Sequence, residues 1–151
     1  MEQGVFESVR YAAVCQDCGA ELECWGVHAL VDGRLRWDVE STCSTCGVAV
    51  MVCGGALPAE RREQMLSEHG PAWLRVSTPP KKGVVIMRVL RTELGIDLAD
   101  ARAALRRVLE GDYSGTLPEV ERVARALRRS GIAAAATRTR SAFGQGLPDG
   151  V

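Results

Sequence analysis

Six cysteines, Cys15, Cys18, Cys24, Cys43, Cys46 and Cys53, fall within the first 53 of the chain's 151 residues. Four of them stand in two copies of one pattern, Cys15-Gln16-Asp17-Cys18-Gly19 and Cys43-Ser44-Thr45-Cys46-Gly47, with 24 residues between Cys18 and Cys43. A C-x-x-C turn points two thiolates at one ion and aims backbone N–H groups at the sulfurs, and the glycine behind it permits the tight turn. Two such turns supply the closed, tetrahedral, all-sulfur ligand set of a structural zinc ion. A redox dithiol is disfavoured, because that chemistry uses a single C-x-x-C opening a helix. A disulfide framework is disfavoured as well. The start Met1-Glu2-Gln3 shows no basic-then-apolar secretory segment, and a cytosolic chain keeps its thiols reduced. Cys24 and Cys53 lie six residues after Cys18 and seven after Cys46, and read as small buried apolar side chains on strands. His28, in an apolar run, reads as a core residue. None of these three is assigned to a metal.

The elements that must hold the four thiolates are legible between the turns. Arg34-Leu35-Arg36-Trp37-Asp38-Val39-Glu40 alternates strictly, with Leu35, Trp37 and Val39 on one face, which is strand periodicity. Asp32-Gly33 before it is a two-residue hairpin signal, the apolar run 25–31 precedes that, and residues 48–53 read as a third strand. Turn, hairpin, turn, strand resembles the zinc-ribbon (rubredoxin-like) family. The resemblance implies a small all-β domain over residues 1–57, with a structural Zn²⁺ on Cys15, Cys18, Cys43 and Cys46.

Charge separates this half from the rest. The whole chain is neutral, with 19 basic and 19 acidic residues. Residues 1–57, however, hold 3 basic and 8 acidic residues, and residues 58–151 hold 16 and 11, so the parts carry −5 and +5. One Zn²⁺ on four thiolates adds about −2 to the first part. Nucleic-acid affinity rests on phosphate contacts, so an acidic ribbon with few aromatics is expected to be a scaffold or protein-contact surface. No apolar run approaches the roughly 20 residues that cross a bilayer, and the protein is expected to be cytoplasmic, with no membrane partner.

Beyond Gly54-Gly55, Pro58 and Glu60 open a short helix that stops near His69, before Gly70-Pro71. With little apolar content, residues 58–72 are expected to be a helical connector. A strand over residues 73–77 is followed by a Thr78-Pro79-Pro80 break. Residues 84–90 are ambiguous by periodicity alone, since a continuous β-branched run also suits a buried strand. Asp97-Leu98-Ala99-Asp100 resembles a capping box and opens a helix with Leu98, Ala101, Leu105, Val108 and Leu109 as its apolar positions. Thr116-Leu117-Pro118-Glu119 opens another, with Val120, Val123, Ala124 and Leu127 on one face and Gly131 as its stop. Residues 132–137 suit a closing strand, and the Gly/Pro-rich residues 141–151 are expected to be a disordered tail.

That order resembles the C-terminal domain of the bacterial ribosomal large-subunit stalk protein over roughly residues 73–138. The matching residues are Lys82, Val84-Val85-Ile86, the run Leu94-Gly95-Ile96-Asp97-Leu98-Ala99-Asp100-Ala101-Arg102, and Ala126-Leu127-Arg128-Arg129-Ser130-Gly131-Ile132. The resemblance implies a helix over residues 84–94 and a βααβαβ domain over residues 73–140. The chain as a whole is then α+β. In the stalk family the face of the first two helices binds translational GTPases through basic residues and exposed aliphatics. Here Lys82, Ile86 and Arg102 match such positions, and Arg88, Arg91 and Arg106 extend the basic surface. Met87 stands where the family has a lysine, Gly83 replaces an aliphatic, and Asp97 replaces the motif's second glycine. The ribbon stands where the stalk protein has dimerisation helices and a hinge, so the chain resembles the stalk's binding module and not the whole stalk.

No Ser/His/Asp set, phosphate-binding loop or dinucleotide fingerprint is present, and the two histidines stand far apart in the chain. The expected function is therefore a non-enzymatic protein-binding module whose partner offers an acidic surface, a translation GTPase being one such partner. An immunity or antitoxin protein that occludes a toxin domain is the alternative, and a nucleic-acid accessory factor is disfavoured by the acidic ribbon. Seventeen of the 19 basic residues are arginine, which suits bidentate contacts to carboxylates.

Overall fold

The computed structural model describes residues 4–77 and 82–139. The chain is α+β and divides at Gly70/Pro71 into two compact units. The Thr78-Pro79-Pro80 break and the tail at 141–151 lie outside the described residues.

In the first unit four strands, β1 (Val5–Val14), β2 (Glu21–Val31), β3 (Arg34–Thr42) and β4 (Ala49–Gly55), form an antiparallel meander in chain order. Strand β1 was not expected from the sequence. Asp32 and Gly33, both at positive φ (50° and 77°), make the tight turn between β2 and β3, as the hairpin signal requires. Strand alternation puts Glu7 and Val9, then Cys24, Gly26, His28 and Leu30, then Trp37 on one buried face. Glu7 and His28 are direct cross-strand neighbours, 5% and 2% exposed, and both have polar partners, so His28 is indeed a core residue.

Trp37 fixes the packing of this face. Its indole lies across Gly26, so closely that a Cβ on that residue would meet the ring at 1.9 Å. Helix α1 (Ala59–His69) closes the same face by burying Met65 completely against Val9 and Trp37, with Tyr11, Val39 and Leu57 packed around them. Three polar contacts tie α1 to the edge strand β1. The Gln64 side-chain amide donates to the Arg10 carbonyl at 2.8 Å, the His69 ring Nε2 lies 2.7 Å from the Ser8 carbonyl oxygen, and the Arg61 guanidinium sits 4.2 Å from the Tyr11 ring centroid. The segment expected to be a connector thus supplies the lid of the first unit. Its single buried apolar residue, Met65, lands on the largest side chain of the sheet.

The second unit runs β5 (Ala72–Ser77), α2 (Gly83–Leu94), α3 (Leu98–Leu109), β6 (Ser114–Gly115), α4 (Leu117–Arg129), β7 (Ala133–Thr137). Strand β5 is central, antiparallel to both β6 and β7. Residues 84–94 are helical throughout, with Ile86 and Leu90 as the buried stripe. Asp97 caps α3 by accepting from the Asp100 N–H at 2.8 Å. Thr116 and Glu119 form a reciprocal capping box on α4, which buries Val120, Val123, Ala124 and Leu127 together. These residues meet Ala72 and Leu74 of β5 and Ile86, Leu90 and Val108 of α2 and α3 in one core.

Two measurements check this packing. Gly26→Ala should force the Trp37 ring aside and lower the unfolding free energy of the first unit by about 1–3 kcal/mol in urea titration. Gly55→Ala, whose Cβ would meet only ordinary contacts at 3.6 and 3.9 Å, should leave it nearly unchanged. Residues 71–139 expressed alone should melt cooperatively by circular dichroism, since one contiguous core joins all their helices and strands β5 and β7.

Candidate metal centre

An up-and-down meander returns to the same end of the sheet at every second connection. The β1–β2 and β3–β4 loops therefore lie side by side, opposite the Asp32-Gly33 turn, and these are the two C-x-x-C-G segments. Their backbones are near copies. In one, the Cys15 N–H donates to the Ala20 carbonyl and the Gly19 N–H to the Cys15 carbonyl, both at 2.8 Å. In the other, the Cys43 N–H donates to the Val48 carbonyl and the Gly47 N–H to the Cys43 carbonyl, both at 2.9 Å. Gly19 and Gly47 sit at φ 76° and 78°, a region that side chains disfavour, which explains the glycine closing each pattern.

The turns bring four sulfurs together. Cys15 and Cys46 Sγ are 3.7 Å apart, Cys18 and Cys43 Sγ are 3.6 Å apart, and all four atoms lie within 4.8 Å of one another. A tetrahedron of thiolates about 2.3 Å from a central ion has sulfur–sulfur edges of about 3.8 Å, so the set fits a four-coordinate metal. The separations are far from the roughly 2.05 Å of a disulfide. Cys15 and Cys43, the first of each pair, are buried, and Cys18 and Cys46 are exposed, so the centre sits at the rim of the sheet.

Electrostatics separates these thiols from ordinary ones. The N–H groups of Cys46 and Thr45 aim at the Cys43 sulfur and hold its pKa down to about 6, burial opposing them. At Cys46 the Val48 N–H favours the thiolate, but burial and the crowd of neighbouring sulfurs outweigh it and push the pKa up to about 12. Cys18 shows the same opposition. The Ala20 N–H favours its thiolate, yet the Cys43 sulfur beside it leaves the pKa raised. One sulfur ionises readily and its neighbours then resist, which is the behaviour of a like-charge cluster that a cation would relieve.

The other cysteines stand apart. Cys24 is buried on the inner face of β2 and accepts from the Ser41 hydroxyl at 3.4 Å, whereas Cys53 on β4 is exposed, against the expectation that it is buried. Among the described residues neither joins a metal-ligand group, and nor does His28.

The basic residues expected to face a partner are mostly at the surface. Arg88 and Arg91 on α2, and Arg102 and Arg106 on α3, are exposed. Arg88 and Arg91 line a shallow depression of about 330 Å³ with Thr92, Gly95 and Ile96. Lys82 is exposed, its Nζ donating to the Gly131 carbonyl at 3.4 Å. Ile86 is a correction. It is 1% exposed and belongs to the core of the second unit, so it cannot be an aliphatic contact for a partner. The exposed aliphatics of these helices are Val84, Leu94, Leu98 and Leu109. Sequence reasoning also missed a concavity of about 500 Å³ on the outer face of the first sheet, lined by Arg10, Trp25, Glu21, Glu23 and Glu40 among others. Recognising β1 by its alternation would have placed Arg10 beside Trp25, whose ring centroid lies 5.3 Å from the guanidinium carbon.

Protein purified without chelator should carry about one metal equivalent per chain by elemental analysis. Cys43→Ser should lose most of it and unfold the first unit, because in such small sites metal-binding energy, on the order of 10 kcal/mol, is largely folding energy. Acidification should release the metal, since protons then compete for the sulfurs.

Compared with family models, curated proteins and solved structures, the chain matches none.

Proposed function

We propose that the chain is a non-enzymatic protein-binding module. In this reading the first unit is a zinc ribbon with a structural Zn²⁺ on Cys15, Cys18, Cys43 and Cys46. The second is a ribosomal-stalk-like domain whose α2–α3 surface engages an acidic protein surface, a translation GTPase in the first instance. Zinc is preferred because a closed all-sulfur tetrahedral set suits it, and the absence of visible absorption in purified protein would distinguish it from a single iron on the same ligands.

One observation carries the partner assignment: the arginines of α4 differ from Arg88, Arg91, Arg102 and Arg106. Those of α4 are engaged within the unit. Arg122 and Arg129 reach Glu93 at 3.2 and 3.9 Å, and Arg125 and Arg128 reach Glu121 at 3.1 and 2.8 Å. Arg88, Arg91, Arg102 and Arg106 have no such partner among the described residues. The two helices pack on each other and also carry exposed Val84, Leu94 and Leu98, so free guanidinium groups and desolvatable area occur on the same pair of elements. That combination steers an acidic partner and gives it somewhere to dock.

The test is binding of the full chain to a purified bacterial translation elongation GTPase by calorimetry. Arg102→Glu should weaken binding by about tenfold or more while shifting stability by only about 0.5 kcal/mol, as a surface charge reversal does. No binding by the unmodified chain would remove the GTPase. A loss of stability without loss of affinity would remove the α2–α3 face.

A further inference from the structure

The two edges of the first unit's sheet are treated differently. Edge β1 is occupied, because α1 places Gln64 and His69 on its Arg10 and Ser8 carbonyls. Among the described residues no such contact covers edge β4. Every residue of Ala49–Gly55 is exposed, including Val50 (49%), Met51 (65%) and Val52 (59%). No Asp, Glu, Lys or Arg occurs between Glu40 and Glu60. Chains that stay monomeric blunt such edges with charge, proline or irregularity. Here the one irregularity lies toward the C-terminal end of the strand, between the Val39↔Val52 and Trp37↔Gly55 pairs. Ala49, Val50, Met51 and Val52 stay in regular register with Thr42, Ser41, Glu40 and Val39.

We propose that β4 is a dimerisation edge, at which two copies of this chain pair their β4 strands antiparallel about a two-fold axis. The second copy is favoured over an unrelated strand by self-complementarity. An isologous pairing sets a strand against itself, and an uncharged strand meets no like charge there. Val50 and Val52 share the face of their register partners Ser41 and Val39, so two copies bring four exposed valines beside the two Val39 side chains. Met51 lies on the other face, in register with Glu40. Seven residues of strand give an edge of about 24 Å at about 3.4 Å per residue. Such a contact is small against the roughly 800 Å² per partner of a standard interface, so the dimer is a weak one that forms with concentration.

The test uses the full, metal-loaded chain in analytical ultracentrifugation from low to high micromolar concentration. The mass should rise from 16.3 kDa toward twice that value. Over the same range, amide hydrogen exchange should slow in β4. Val50→Lys combined with Val52→Lys, and separately Met51→Lys on the opposite face, should stay monomeric while keeping metal content and circular dichroism unchanged. A chain monomeric throughout the range overturns the proposal. So does a dimer whose β4 amides exchange at an unchanged rate, or one that survives the lysines.

Discussion

Four sulfurs within 4.8 Å of one another cannot all be thiolates without a positive charge among them. That electrostatic constraint governs the first unit. The two C-x-x-C-G turns are short, and their backbone N–H groups already favour ionisation, as the Cys43 pKa of about 6 shows. Folding brings the turns together because they are alternate connections of one meander, and the same closeness pushes Cys46 up to about 12. The sheet thus creates a demand for a cation that, among the described residues, no arginine or lysine acting on these sulfurs meets. Residues 1–57 contain only three basic residues.

Packing alone gives this unit little with which to resist that repulsion. Its buried cluster is Val9, Trp37 and Met65, with Tyr11, Val39 and Leu57 at the margin. The cluster depends on one close approach, the Trp37 indole over Gly26, and on a helix with a single fully buried side chain, Met65. A small core of this kind is typical of domains stabilised by a metal. The second unit is organised differently. Ten buried residues from every helix and from β5 form one cluster, with both later helices side-chain-capped, and no cluster of reactive groups is needed to explain its cohesion.

What was legible in the sequence follows from where chemistry is written locally. The thiolate set, the Asp32-Gly33 hairpin, the Thr116/Glu119 capping box and the apolar stripe of α4 are short-range patterns, and each was readable from adjacent residues. Strand β1 was not, because its alternation Val5, Glu7, Val9, Tyr11 puts an acid on the buried face. Only the cross-strand position of His28 makes Glu7 intelligible there. Cys53 was misplaced because nothing in the sequence distinguishes an edge strand from a central one. Ile86 was misread for a related reason. The continuous run Val84-Val85-Ile86 has no polar residue to mark the helix face, so which aliphatic is exposed depends on where β5 and α4 lie. Val84 points outward at 64% exposure while Ile86 fills the core.

The distribution of arginine shows why net charge alone is a poor guide to a binding surface. The +5 of residues 58–151 is not carried by α1, where Arg61 and Arg62 are outnumbered by Glu60, Glu63 and Glu68, and on the helices of the second unit the arginines differ in local context. On α4, Glu121 lies one turn before Arg125 and about two before Arg128, and Glu93 of α2 reaches across to Arg122 and Arg129, so four guanidinium groups share two carboxylates. Such a network holds these side chains within the unit, although four positive groups against two negative ones leave a net positive charge. On α3, Arg106 follows Arg102 by four residues, a like-charge spacing that costs a helix a few tenths of a kcal/mol. On α2, Arg91 follows Arg88 by three. Among the described residues neither pair forms an ion pair, although Glu110 follows Arg106 by four residues and Glu93 lies on α2. An exposed like-charge pair of this kind costs little in water and salt, so the contrast between α4 and the α2–α3 pairs lies in which guanidinium groups are held within the unit and not in the net charge.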